Sequence, residues 1–245
     1  ALQAAKQTAD KANQAKSRYV TGISHELRTP LNSILGYAQI LEYDPQIPEH
    51  RRDAVTVIRR SSEHLASLVD GLLDLAKIES GKLQLDNEEL RFVEFMSQIV
   101  GMFRLQAQNK GIAFDYDTQG RLPRVIRADK KRLGQILINI LGNAVKFTER
   151  GTVSLRVRAR NEIVIFEIRD SGAGISADEL ERIFLPFERG ASASVTSESG
   201  TGLGLSIARM LTNLMGGEMT AQSEVGHGSL FSVRLFLPEV RQPKP

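Results

Sequence analysis

The sequence predicts an α+β multidomain protein: an antiparallel helical hairpin that pairs into a dimeric four-helix bundle, followed by an α/β sandwich. Three observations predict it. Apolar residues recur at steps of three and four through the first eighty positions; beyond about 92, helical stretches interleave with short alternating ones; and "GKLQLDNEEL" between them carries neither pattern.

Taking the elements in order, Leu2, Ala5, Ala9, Ala12, Tyr19 and Ile23 form a heptad seam, with Lys16 at the missing step. Ile23, Leu27, Leu31, Ile34, Ala38 and Leu41 then shift that seam by two consecutive four-residue steps. A polar turn, "YDPQIPEH", leads to a second helix whose stripe is Ala54, Ile58, Ser61, Leu65, Leu68, Leu72 and Leu75, with Gly81 as its stop. One hairpin leaves much of this apolar surface wet, so the expectation is a homodimer through residues 1–81. In the second domain the patterns predict helices at 92–109, 130–147 and 202–215. Strands are predicted at 112–116, 125–128, 152–159, 163–169, 218–223 and 229–237, with the helices on one face of a mixed sheet. The stretch from 170 to 204 has little regular pattern for its length and is expected to cover a ligand.

Composition narrows the function classes. With 32 basic and 29 acidic residues the formal charge is only +3, so the pI of 9.2 reflects how little titrates above neutrality and is no sign of nucleic-acid binding. No Cys is present, which excludes disulfides, thiolate metal sites and a cysteine nucleophile. No stretch approaches the roughly 18 apolar residues of a membrane span, so no membrane contact is expected of this chain. From its uncapped start the chain is expected to be a fragment of something longer.

Four constellations carry chemistry. In "SHELRTPLNSILGYAQIL", His25 lies two residues past the seam position Ile23 and so is expected to face solvent. A neutral imidazole there is a competent nucleophile, and Pro30 should bend or loosen the helix one turn on. In "RLGQILINILGNAVKFT", Leu133, Ile136, Leu137, Ile140, Leu141 and Ala144 make a buried face, while Asn139, Asn143 and Lys146 share a neighbouring stripe. Amide oxygens suit magnesium and an ammonium suits phosphate. In "DSGAGIS", Asp170 ends an alternating strand where a carboxylate can accept from an exocyclic amine, and Gly172 and Gly174 let backbone approach a flat ring. "SGTGLGLSIARML" opens a helix with glycines whose free N–H groups bind phosphate. Between the last two, Phe184 and Phe187 anchor a serine-rich lid near Arg189. Taken singly, each patch has a plain explanation: a solvated histidine, a polar helix face, a glycine turn, a packed aromatic.

Together, in order and spacing, they resemble the sensor histidine kinases of two-component signalling, from about residue 16 to 238. The resemblance implies a sandwich of the histidine-kinase-like ATPase type and a cytoplasmic location. It divides the chain into the end of an upstream signalling helix (1–15), a dimerisation and phosphotransfer domain (16–81), a linker (82–91), a catalytic ATP-binding domain (92–238) and a tail (239–245). It implies ATP and Mg2+ as cofactors, His25 as phosphoacceptor, Glu26 as its acidic partner and Thr29 as the residue that helps dephosphorylate a response regulator, whose receiver domain docks near His25. It makes Asn143 the main magnesium ligand with Asn139 supporting, Lys146 a phosphate contact, Asp170 the adenine anchor and Arg189 a γ-phosphate contact. Gly172, Gly174, Phe187, Gly200, Thr201, Gly202, Leu203 and Gly204 line the nucleotide on the same reading.

Two rivals use the same pocket. A gyrase-type ATPase places a glutamate base where this chain has Asn139, and an amide cannot accept the proton from water. An inactive dimerisation scaffold would be expected to have lost a motif, and all are present.

Overall fold

The computed structural model describes the backbone of residues 2–188 and 201–240, with side chains from residue 22 onward, His25 excepted. It divides into two compact units, residues 1–84 and 85–245.

The first unit is the hairpin of α1 (Leu2–Tyr43) and α2 (Glu49–Glu79). The helix α1 is continuous through Pro30. Asp44 turns the chain by accepting from the Gln46 N–H at 2.8 Å. At the far end Gly81 (φ 65°) stops α2, with Gly81 N–H on Ile78 O and Lys82 N–H on Lys77 O. Leu31 and Ala38 of α1 and Val55, Ser62, Val69, Leu73 and Ala76 of α2 are buried. Of the apolar stripe expected on α2, Leu75 is buried, while Ile58 and Leu65 are each 47% exposed. Ile23, Leu27, Ile34 and Leu41 of α1 are likewise exposed. The seam legible in the heptads is therefore divided: Leu31, Ala38 and Leu75 enter the hairpin, while Ile23, Leu27, Ile34, Leu41, Ile58 and Leu65 form an apolar face that it leaves open.

The second unit is a five-stranded sheet, β2 (Ala113–Gln119), β4 (Thr152–Arg160), β5 (Ile163–Asp170), β6 (Glu218–Glu224) and β7 (Gly228–Phe236), in the order β2-β4-β5-β7-β6. β2 runs parallel to β4 and the other pairs are antiparallel. Alternation decides which face is covered. Val153, Leu155, Val157, Val164, Phe166, Ile168, Val233 and Leu235 are buried, while their chain neighbours Arg156, Arg158, Arg169 and Arg234 stay exposed. Helices α3 (Phe92–Lys110), α4 (Lys130–Phe147) and α6 (Gly204–Leu214) supply the other half of this core. Phe92 meets Phe166 edge-on with ring centroids 6.2 Å apart.

Three segments differ from expectation. The last four residues of the supposed linker are strand β1 (Glu88–Arg91), paired antiparallel with β3 (Val125–Ala128). Leu90 and Ile126 of that pair are buried, which ties it to the core. Glu239 and Val240, expected as tail, also dock on β3, with Val240 N–H on Val125 O at 2.9 Å. A short helix α5 (Ala177–Leu180), capped by Ser176 and Glu179, falls within the segment read as irregular. Among the described residues no helix is long and apolar enough to cross a membrane.

Candidate nucleotide site

Helix α4 is the floor of the site, and its ends are fixed by side chains. Asp129 caps its start, accepting from Arg132 N–H at 2.9 Å through one oxygen and from Asp86 N–H at 3.0 Å through the other. Its expected buried face is buried throughout, which turns Asn139, Asn143 and Lys146 onto a half-buried neighbouring stripe. At its end Thr148, fully buried, returns both its N–H and its hydroxyl to Ala144 O.

Two close approaches show what α4 touches. A Cβ at Gly204 would lie 3.4 Å from Asn139 Oδ1, so the amide of Asn139 rests against the first residue of α6. A Cβ at Gly172 would fall 2.4 Å from the Phe147 carbonyl oxygen, so only glycine lets the turn after β5 meet the end of α4. The asparagine stripe, the Asp170 turn and the glycines opening α6 are thereby brought together. Gly202 (φ 69°) packs against Phe187, whose N–H donates to Gly202 O at 3.0 Å. Phe187 is itself left-handed (φ 65°), a conformation held for a bulky residue only by its surroundings. Phe184 is covered by the Arg209 guanidinium, 4.6 Å from its ring centroid. Leu203 is buried, and its N–H reaches Thr201 Oγ1 at 3.2 Å.

Asp170 is only 6% exposed. Burial pushes its carboxyl above the ordinary carboxylate range, against hydrogen bonds from Gly172 N–H and from the backbone and hydroxyl of Ser229. Ser229 lies opposite Asp170 in the β5–β7 register. Ser223 extends this chain: its oxygen lies 2.9 Å from Ser229 Oγ, accepts from Ile175 N–H at 2.8 Å and donates to Gly228 O at 2.8 Å. Neither serine stands out in the sequence, because a single hydroxyl in an alternating strand carries no pattern. Only the strand register reveals it.

In the hairpin, Glu26 and Thr29 are exposed on α1. The orientation expected of the His25 ring, and the expected contacts of Arg189 and Gly200, lie outside the described residues. No cluster of three His, Asp or Glu that could hold a metal occurs among the described residues; the oxygen donors on α4 are amides.

Comparison with known proteins agrees with this layout. Residues 128–239 match the family described as "Histidine kinase-, DNA gyrase B-, and HSP90-like ATPase", and residues 15–81 match the "His Kinase A (phospho-acceptor) domain". The chain is 38% identical over 235 residues to the aerobic respiration control sensor protein ArcB of Escherichia coli strain K12, covering 95% of the chain and 30% of that relative. It thus spans under a third of ArcB's length. The crystal structure of full-length ShkA in complex with AMPPNP is 35% identical, with a TM-score of 0.76 over 93% of this chain and 47% of that one. The histidine kinase ThkA, in a crystal structure with the response regulator protein TrrA, shares the fold at 22% identity, with a TM-score of 0.62 over 94% of this chain and 65% of that one.

Proposed function

The chain belongs to the sensor histidine kinases, and from that premise we propose that it binds ATP with magnesium around α4, phosphorylates His25 and passes the phosphoryl group to an aspartate of a response regulator. The observation that carries this reading is the junction at α4, where Asn139 meets Gly204 and Phe147 meets Gly172.

In this mechanism Asp170 accepts from the exocyclic amine of adenine, its other partners holding the carboxylate in place. Gly172 and Gly174 let the turn that carries the adenine contacts close against Phe147 O and Glu224 O. Asn143 and Asn139 offer the hard amide oxygens that suit magnesium, which when bound neutralises phosphate charge. Lys146 contacts the phosphates, as do the N–H groups opening α6 at Gly202, Leu203 and Gly204; Gly200, Thr201 and Phe187 complete the lining, and Arg189 approaches the γ-phosphate. An imidazole nitrogen of His25 attacks the γ-phosphorus; the N–P bond forms, the bond to the bridging oxygen breaks, and ADP leaves. Glu26 takes up the imidazole proton. Positioning and charge neutralisation supply most of the catalysis.

A homodimer follows from the open seam of Ile23, Leu27, Ile34, Ile58 and Leu65. The response regulator docks on α1 beyond His25, where Gly36, Gln39, Ile40, Tyr43, Asp44 and Pro45 line a groove with exposed Tyr37 beside it. Thr29 then assists dephosphorylation of the regulator.

Incubation with γ-labelled ATP tests the reading. Label on the protein that survives alkali, is lost in acid and is absent from His25→Gln is the expected result. Free labelled phosphate without labelled protein would place the chain with the gyrase-type ATPases instead.

A further inference from the structure

The last four carbonyls of a helix have no partner within it, and at the end of α4 three of them take a side-chain donor. Thr148 takes Ala144 O. The Lys110 ammonium, from the last residue of α3, takes both Val145 O at 2.8 Å and Lys146 O at 2.5 Å. Phe147 O is the oxygen that abuts Gly172. A charged donor from a different helix therefore grips the two carbonyls that flank the Lys146 Cα, one residue before the contact that seats the Asp170 turn.

The sequence aims Lys110 there. Gly111 (φ 74°) terminates α3, its N–H bonding Gln108 O, while Ile112 N–H returns to Ala107 O and the Ile112 side chain is buried. That closure leaves Lys110 at a fixed point beside the end of α4. Its charge also offsets the partial negative charge of the α4 C-terminus, which would otherwise oppose phosphate bound to the same turn.

We propose that Lys110 is a positioning residue of the nucleotide site, holding the last turn of α4 so that Asn143 and Lys146 meet the phosphates. The inference rests on the ATP-binding reading above. A residue that merely staples α3 to α4 would change folding stability and leave ligand affinities alone. One that positions the phosphate-facing turn changes the affinity for phosphate and spares that for adenine.

Titration calorimetry on the full chain separates these. Lys110→Met should weaken Mg-ATP binding about tenfold, the scale of one lost charge-assisted hydrogen bond. It should leave adenosine affinity within about twofold of the parent, because adenosine lacks the phosphates that Lys146 meets. Lys110→Arg, which keeps a forked cationic donor, should recover most of the Mg-ATP affinity. Unchanged Mg-ATP binding in a Lys110→Met chain of lowered melting temperature would overturn the proposal, as would equal losses for both ligands. If Lys110→Met does not fold, Lys110→Gln replaces it, with parental Mg-ATP affinity again overturning the proposal. A parent chain that binds no Mg-ATP overturns the ATP reading and this inference together, and that measurement comes first.

Discussion

Asp170 shows how a residue legible in sequence gains its properties from residues that are not. Its place at the end of an alternating strand marked it as a ligand-facing carboxylate, but its burial and its bonds from Gly172 and Ser229 arise from strand register and a tight turn. The sign of its effect on stability follows. With its folded pKa raised above the ordinary 3.8, the folded state binds more protons through the window above that value, so Asp170 ionisation lowers stability as pH rises across it. Asp170→Asn should remove that slope, leaving the apo chain at least as stable as the parent above the window. The same change should weaken adenine-nucleotide binding by about tenfold or more, since a hydrogen bond to a charged group is lost. Thermal melts across the window, paired with nucleotide titration near neutral pH, check both halves.

Among the elements, α4 was the most legible and β1 the least, for one physical reason. A helix of eighteen residues repeats its apolar spacing often enough to fix period and face, and Asp129 announces its start. Four residues, "EELR", with Leu90 their only apolar side chain, repeat nothing; β1 exists because β3 and the core beneath Leu90 accept it. Asp129 joins these two elements, one oxygen on α4 and the other on the approach to β1. Asp129→Ala should therefore cost more than a cap alone, about 1–2 kcal/mol for the cap and up to about 1 kcal/mol for the Asp86 bond. Urea denaturation measures the sum, and Asp129→Asn, which keeps an acceptor at the cap, should lose less.

For the molecule as a whole, the heptad pattern revealed a face that a single chain does not cover. Ile58 and Leu65 sit on one predicted apolar stripe of α2, and the hairpin leaves them half exposed because Val55, Ser62 and Val69 already fill the contact with α1. Period alone marks an apolar face without saying which neighbour takes it. Leu65→Asp should shift the chain from dimer to monomer in sedimentation analysis, with Mg-ATP affinity unchanged within about twofold, because the substitution lies in the hairpin and not in the nucleotide unit.

The hydrogen bond from Phe187 N–H to Gly202 O has a consequence for how relatives of this chain can diverge. It fastens the exit and re-entry points of the intervening polypeptide to each other, so the span between them is spliced into the protein at a single knot. A change in the number of residues between the two ends that retains Arg189 and Gly200 should therefore leave Asn139, Asp170 and the start of α6 in place.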